Sequence, residues 1–357
     1  MDRKLRGMLG GAVLAVIAAC AVAFGAPVVV PPGGSLQDAI DTAPPGAVLE
    51  LEAGTYRGSL VIDHSLTLRG VGESTVIDGT KTGAAIHILG NGIAVRLESL
   101  TVQGGKGWEG HGIQTEGAPT VELAFVTVAK NSWCGIWSRD RTSLSLDHCR
   151  IVENGTHGIY TWDFTRGDLR NCEISRNKTH GILAFHISEL RLTDCAVDGN
   201  LMGIWAWDGV RVHATRITII GNVLNGLVAQ NGALLDLLDC VVAKNGGLGL
   251  WFTDSGRGVL SGCEIRANGD DGVLLEKDGI VEFYGCRIRE NAGAGIRAST
   301  PNCTGTFAPS APFKGWVKGA ENVVPSPGER GANRETGLCP VYPGSIWPEG
   351  FLKSTTP

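Results

Sequence analysis

The chain lacks the marks of several common classes. After its first six residues it carries no basic run, and its formal charge is −5. A nucleic-acid partner is not expected, because affinity for phosphates needs clustered Lys and Arg. No 3.6-residue apolar stripe fills the body of the chain, which excludes bundles and helical repeats. Long apolar runs are missing too, apart from Met8 to Phe24 behind Arg3, Lys4 and Arg6. That run is short for a membrane span and has the flanking charge of an export signal.

Residues 1–26 are therefore read as a signal peptide. Ile17-Ala18-Ala19-Cys20 resembles a lipobox, in which Cys20 would be acylated. Ala21-Val22-Ala23 offers ordinary cleavage instead. Both routes predict an exported protein, periplasmic, on the cell surface or secreted. Any membrane contact would run through the signal or a lipid on Cys20.

Glycine is abundant, at 52 residues, and it is phased. Asn154…Gly158-Ile159 recurs as Asn131…Gly135-Ile136, Asn177…Gly181-Ile182, Asn200…Gly203-Ile204 and Asn222…Gly226-Leu227. It continues to Asn245…Gly249-Leu250, Asn268…Gly272-Val273 and Asn291…Gly295-Ile296, and Gly112-Ile113 opens the series. The glycines are 23 residues apart except from Gly181 to Gly203, where the spacing is 22. A fixed period in the twenties, with short apolar runs between turn residues, predicts a β-solenoid with one coil per repeat. Residues 27–300 form this body. Ser35 to Ile40 reads as a helix capped by Ser35 that covers its open end. Residues 301–357 drop the repeat, become rich in Pro and Gly, and read as a loop-rich C-terminal cap. Cys303 and Cys339 stand apart from the other cysteines and are the expected disulfide.

A resemblance becomes specific at Ser35-Leu36-Gln37-Asp38-Ala39-Ile40, Leu51-Glu52-Ala53-Gly54-Thr55-Tyr56, Leu66-Thr67-Leu68-Arg69-Gly70 and Val76-Ile77-Asp78-Gly79. These runs resemble the opening of pectate-lyase-like right-handed parallel β-helix proteins, and the Asn…Gly-Ile units resemble their short repeats. The resemblance implies an all-β right-handed parallel β-helix. It does not select an activity, since the superfamily holds lyases, hydrolases, epimerases and binding proteins. The epimerase Asp-Pro-His-Asp run is absent, as are the paired aspartates of galacturonan hydrolases and the calcium set of pectate lyases.

Stacking turns each repeat position into a column. The Asn column predicts an amide ladder, and Cys149, Cys172, Cys195, Cys240, Cys263 and Cys286 predict a buried thiol ladder, with Ile217 in its gap. His111, Cys134, His157 and His180 form a polar column before the glycine, expected to be structural rather than a metal site. One residue past the ladder Ile, side chains should face solvent: Gln114, Trp137, Tyr160, Leu183, Trp205, Val228, Trp251, Leu274 and Arg297. Two residues further the same side carries Trp162, Phe185 and Trp207. Trp137, Tyr160, Trp162, Phe185, Trp205, Trp207 and Trp251 are thus the candidate binding residues, a platform for the C–H faces of sugars. At the strand ends lie Asp140, Asp163, His186, Asp208, Asn231 and Asp254. Such side chains hold Ca²⁺ or perform acid–base chemistry in carbohydrate sites; Asp163, His186 and Asp208 are the catalytic candidates, and neither a metal nor another cofactor is called for. The first functional expectation is polysaccharide binding. The second is a lyase, hydrolase or epimerase in the same groove, and the third a scaffold that docks a protein.

Overall fold

The computed structural model describes residues 26–299, 316–320, 322–325, 333, 338–339 and 351–352; the expected signal sequence up to residue 25, Cys20 and Cys303 lie outside them. The described chain is a parallel β-solenoid of about 12 turns. A regular coil has three strands, for example Ile159–Thr161, Arg166–Arg170 and Glu173–Ser175. Each pairs in parallel with its counterpart one coil on, so Ile136, Ile159, Ile182, Ile204 and Leu227 fall in one file. Near the N-terminus the strands Ile86–Gln103 and Ile113–Ala129 run through the corners without a break.

Alternation sorts the side chains as the repeat predicts. Ser138, Thr161, Ala184, Ala206, Ala229, Phe252, Leu275 and Ala298, two residues past the ladder apolar residue, are all buried. The repeat glycine is required by close approach rather than by a turn. A Cβ on Gly158 would lie 2.6 Å from the Gly181 carbonyl oxygen and 2.7 Å from Asn177 Nδ2.

The amide ladder runs unbroken from Asn131 to Asn291. From Asn154 on, each Oδ1 accepts two N–H groups from the preceding coil, as Asn177 Oδ1 accepts from Asn154 N at 3.1 Å and Asn154 Nδ2 at 3.0 Å. The cysteines are free and buried, with no bridge among them. Their thiols point to main-chain carbonyls, Cys149 to Leu123 O at 3.3 Å and Cys286 to Leu260 O at 3.4 Å. The bond to the Cys149 thiol, helped by burial, pushes Cys172 up to about 12, and burial of the whole file keeps these thiols as packing groups.

Both ends are closed. Helix α1 (Leu36–Thr42) starts at Ser35, whose Oγ accepts the Asp38 N–H at 3.1 Å, and buries Leu36 and Ile40. Its Gln37 amide pairs with Val61 N and O at 2.8 and 3.0 Å, occupying strand-edge groups that would otherwise invite another strand. At the other end the described tail residues add rungs that the repeat did not announce. Trp316–Ala320 pairs with Ile280–Tyr284, Leu338–Cys339 pairs with Ile296–Ala298, and Asn333 takes the last place in the amide ladder at 3.0 Å from Asn291 Nδ2. Cys339 is disulfide-bonded.

Candidate functional site

The first strands of successive coils lay their outward side chains on one face, and the rings there pack into a connected cluster. Trp162 stacks on Phe185 at 5.3 Å and 15°, and Phe185 meets Trp207 at 4.8 Å. Trp207 is parallel to Trp205, two residues back on its own strand, at 5.7 Å and 4°. Tyr160 meets both Trp162 and Phe185 edge-on. The rings are half-buried rather than fully exposed, because each covers its neighbours. Burial, then the nearby Cys134, pushes the Tyr160 hydroxyl up to about 12, so it stays a neutral donor at ordinary pH.

The expected solvent-facing column is not uniform. Leu183 is buried between Tyr160 and Trp205 on adjacent coils. Val228, Leu274 and Arg297 are buried as well. Arg297 grips Asp271 through Nε at 2.7 Å and Nη2 at 2.9 Å, a closed ion pair and not a surface charge. Trp251 stands apart from the cluster, two coils beyond Trp205 with Val228 between, and donates its indole N–H to Glu276 at 2.9 Å.

The platform reaches further at its other end. Trp137 stacks on His111 at 4.9 Å, His111 meets Trp133 at 5.8 Å, and Trp133 meets Trp108 at 4.7 Å. Trp108 is 71% exposed. Trp108 lies off the repeat columns and Trp133 in the turn before the ladder glycine, so strand alternation could not place them beside the sheet. Arg139 lies over Trp137 at 5.3 Å and pairs with Glu116 at 2.7 Å, which gives this end charge of both signs.

Asp163, His186 and Asp208 come together at the strand ends. His186 Nδ1 is 2.8 Å from Asp163 Oδ1, and its Nε2 is 3.2 Å from Asp208 Oδ2. All three are close to half exposed, and the imidazole also meets Trp162 at 4.7 Å. The row continues through Asn231, which donates to Asp208 at 3.2 Å, to Asp254, held by Gln230 at 3.0 Å and by Lys277. These positions share a backbone cause: Asp163, His186, Asp208, Asn231 and Asp254 have φ between 45° and 61°. Asn, Asp and His are the non-glycine residues most tolerant of that region, so the turn selects much of the polar column.

The His column is a tight packing feature. His157 and His180 stack at 4.9 Å with their Nδ1 atoms 2.9 Å apart, so one Nδ1 carries hydrogen and the other accepts. Burial pushes His157 down to about 3 and both His111 and His180 down to about 4, so all three are neutral near pH 7. Among the described residues no group of three or more His, Cys, Asp or Glu is arranged to hold a metal ion, and no helix is long and apolar enough to cross a membrane.

A parallel β-solenoid with a ring-covered outer sheet and a carboxylate–imidazole row at its edge is thus the class of molecule. The chain belongs to the right-handed β-helix family, whose "right handed beta helix region" matches residues 70–216 and 209–308. Its fold is similar to that of the mannuronan C-5 epimerase AlgE4 A-module of Azotobacter vinelandii, with a TM-score of 0.66 at 18% identity, over 80% of this chain and 91% of that one. It is also similar to the periplasmic alginate epimerase AlgG, with a TM-score of 0.61 at 14% identity, over 87% of this chain and 80% of that one. No curated protein matches the chain by sequence.

Proposed function

We propose that this chain is an exported protein that binds a cell-envelope or extracellular polysaccharide along its ring-covered face. The observation that carries this reading is the connected cluster of Tyr160, Trp162, Phe185, Trp205 and Trp207, extended through Trp137, His111 and Trp133 to exposed Trp108. Flat rings over several coils suit the C–H faces of consecutive sugars, while the acidic and amide row beside them suits hydroxyl groups. The Trp205 indole N–H, without an acceptor among the described residues, supports a role for the cluster beyond stability. The fold neighbours named as mannuronan and alginate epimerases support a polysaccharide ligand, and the periplasmic AlgG supports export. Residues 1–26 support export by their own pattern, through ordinary cleavage or lipidation at Cys20.

A second reading is favoured by one contact set. His186, flanked by Asp163 and Asp208, is an acid–base arrangement within reach of a sugar on Trp162, so a lyase, hydrolase or epimerase would act there. One series of variants separates the readings. Trp205→Ala and Trp207→Ala should each weaken oligosaccharide binding, measured by calorimetry on hits from a glycan array, with little change in melting temperature. In a binding protein Asp208→Asn and His186→Ala should trim affinity modestly. In an enzyme they should abolish product formation and leave binding largely intact. Unchanged binding in both tryptophan variants would remove the platform and leave a protein-docking scaffold.

A further inference from the structure

We infer that the ligand is a polysaccharide carrying short acyl substituents, and that Phe164 and Ile187 read them. This rests on the polysaccharide reading above.

The corner after the first strand takes two successive positive φ values on several coils. Asp208-Gly209 adopts 61° and 72°, and Asn231-Gly232 adopts 52° and 76°. Those pairs are what such a corner prefers, since glycine takes the second place without a Cβ clash. Asp254-Ser255 takes 48° and 60° with a small polar residue in the second place, whereas two neighbouring coils put large apolar residues there. Asp163-Phe164 stands at 45° and 56°, and His186-Ile187 at 46° and 53°. A bulky aromatic and a β-branched residue are strained there. Burial does not compensate them, because Phe164 is 52% exposed and Ile187 is 59% exposed. Neither local preference nor the core accounts for these side chains. Strain without a folding return points to a functional contact.

Their place says what that contact is. Phe164 and Ile187 directly follow Asp163 and His186, so exposed hydrocarbon adjoins the carboxylate–imidazole row. Arg141 on the previous coil sets its guanidinium 6.0 Å from the Phe164 ring centre. On the next coil, a Cβ at Gly209 would meet only Ile187 Cγ1, at 3.8 Å, and one at Gly232 would meet nothing within 4 Å. The rim therefore stands high at Arg141, Phe164 and Ile187 and drops to an open step beside Asp208. The edge of an unsubstituted sugar offers hydroxyls, which Asp163, His186, Asp208 and Asn231 already suit. It offers nothing to exposed hydrocarbon. An acyl ester adds both missing parts, a methyl group for Phe164 and Ile187 and a carbonyl oxygen to accept from Arg141.

The test uses O-acetylated mannuronan, pectin and xylan, each paired with its alkali-deacetylated form, titrated against the whole mature protein. The wild type should prefer the acetylated member of at least one pair by about fourfold for each methyl group buried. Phe164→Gly and Ile187→Gly restore the low-strain corner, so their melting temperatures should not fall. Each should lose part of the preference while keeping wild-type affinity for the deacetylated form, and the double variant should lose all of it. Equal binding of both forms by the wild type, or a full preference in the double variant, overturns the inference and leaves the polysaccharide reading standing. Failure of every preparation to bind overturns both.

Discussion

At Asn177 a single amide serves three coils. Its Nδ2 donates to Asn200 Oδ1 at 3.1 Å and to Ile151 O at 3.1 Å, and its Oδ1 accepts two N–H groups of Asn154. Asn177→Ala strips all of these from a buried corner and leaves main-chain groups unpaired. The expected cost is about 1–3 kcal/mol, read from denaturant unfolding; an unchanged midpoint would contradict a structural ladder. The His157–His180 contact sets a pH dependence at the same scale. Burial lowers the folded pKa of His157 to about 3, while the unfolded side chain titrates near the ordinary value of 6.5. The unfolded state therefore binds more protons across that window. Stability is fully present above about pH 6.5 and is lost as pH falls toward the folded value. Thermal melts from pH 7 to 4 should show this decline, and His157→Gln should make it shallower. A decline equally steep in the variant would assign it to other groups.

At the scale of the element, the first-strand sheet is where packing and recognition meet. The period of two places Tyr160 and Trp162 on one side of their strand, and stacking brings them to Phe185 on the next coil. Loops add what the strands cannot. Trp108 reaches the sheet only through Trp133 and His111, so it forms the end of the ring surface and not its middle. If the surface binds an extended glycan, Trp108→Ala should leave short oligosaccharides bound as before and weaken longer ones, with no loss of stability. Equal affinity across all chain lengths in the variant would confine the binding face to the strands. The platform's legible part was its strand residues, and Trp251 shows the limit of that legibility. Alternation gave it the right side, but buried Val228 and a bond to Glu276 separate it from the cluster.

At the scale of the whole molecule, a solenoid must close two open cores, and this chain does so by different means. At one end a short helix lends an amide to a strand edge. At the other, tail residues without the repeat motif supply strands and the final ladder amide, and Phe351 packs on Phe283 at 5.9 Å. A disulfide at Cys339 ties this end, and its expected partner is Cys303. Mass spectrometry of protein denatured without reductant should find that bridge, with Cys149, Cys172, Cys195, Cys240, Cys263 and Cys286 alkylated as free thiols. Bridges within the ladder would end the account of packed thiols.

The repeat of Asn, Gly and an apolar residue determined the coil, its ladders and the side on which each strand residue falls, because a 23-residue period and a two-residue alternation are properties of the chain itself. The tertiary structure alone decided which of those residues meet. Alternation names a face but not its cover, so burial of Leu183, Val228, Leu274 and Arg297 could not be read from it. Asp208-Gly209 and Asn231-Gly232 carry the residue types of a left-handed corner, but Asp163-Phe164 and His186-Ile187 do not, so the same corner and its strain at Phe164 and Ile187 could not be read there. Contacts of the Trp108 loop with Trp133, and of the tail's Asn333 with the ladder, join segments that no period relates. They arise only when the coils are stacked and the ends closed.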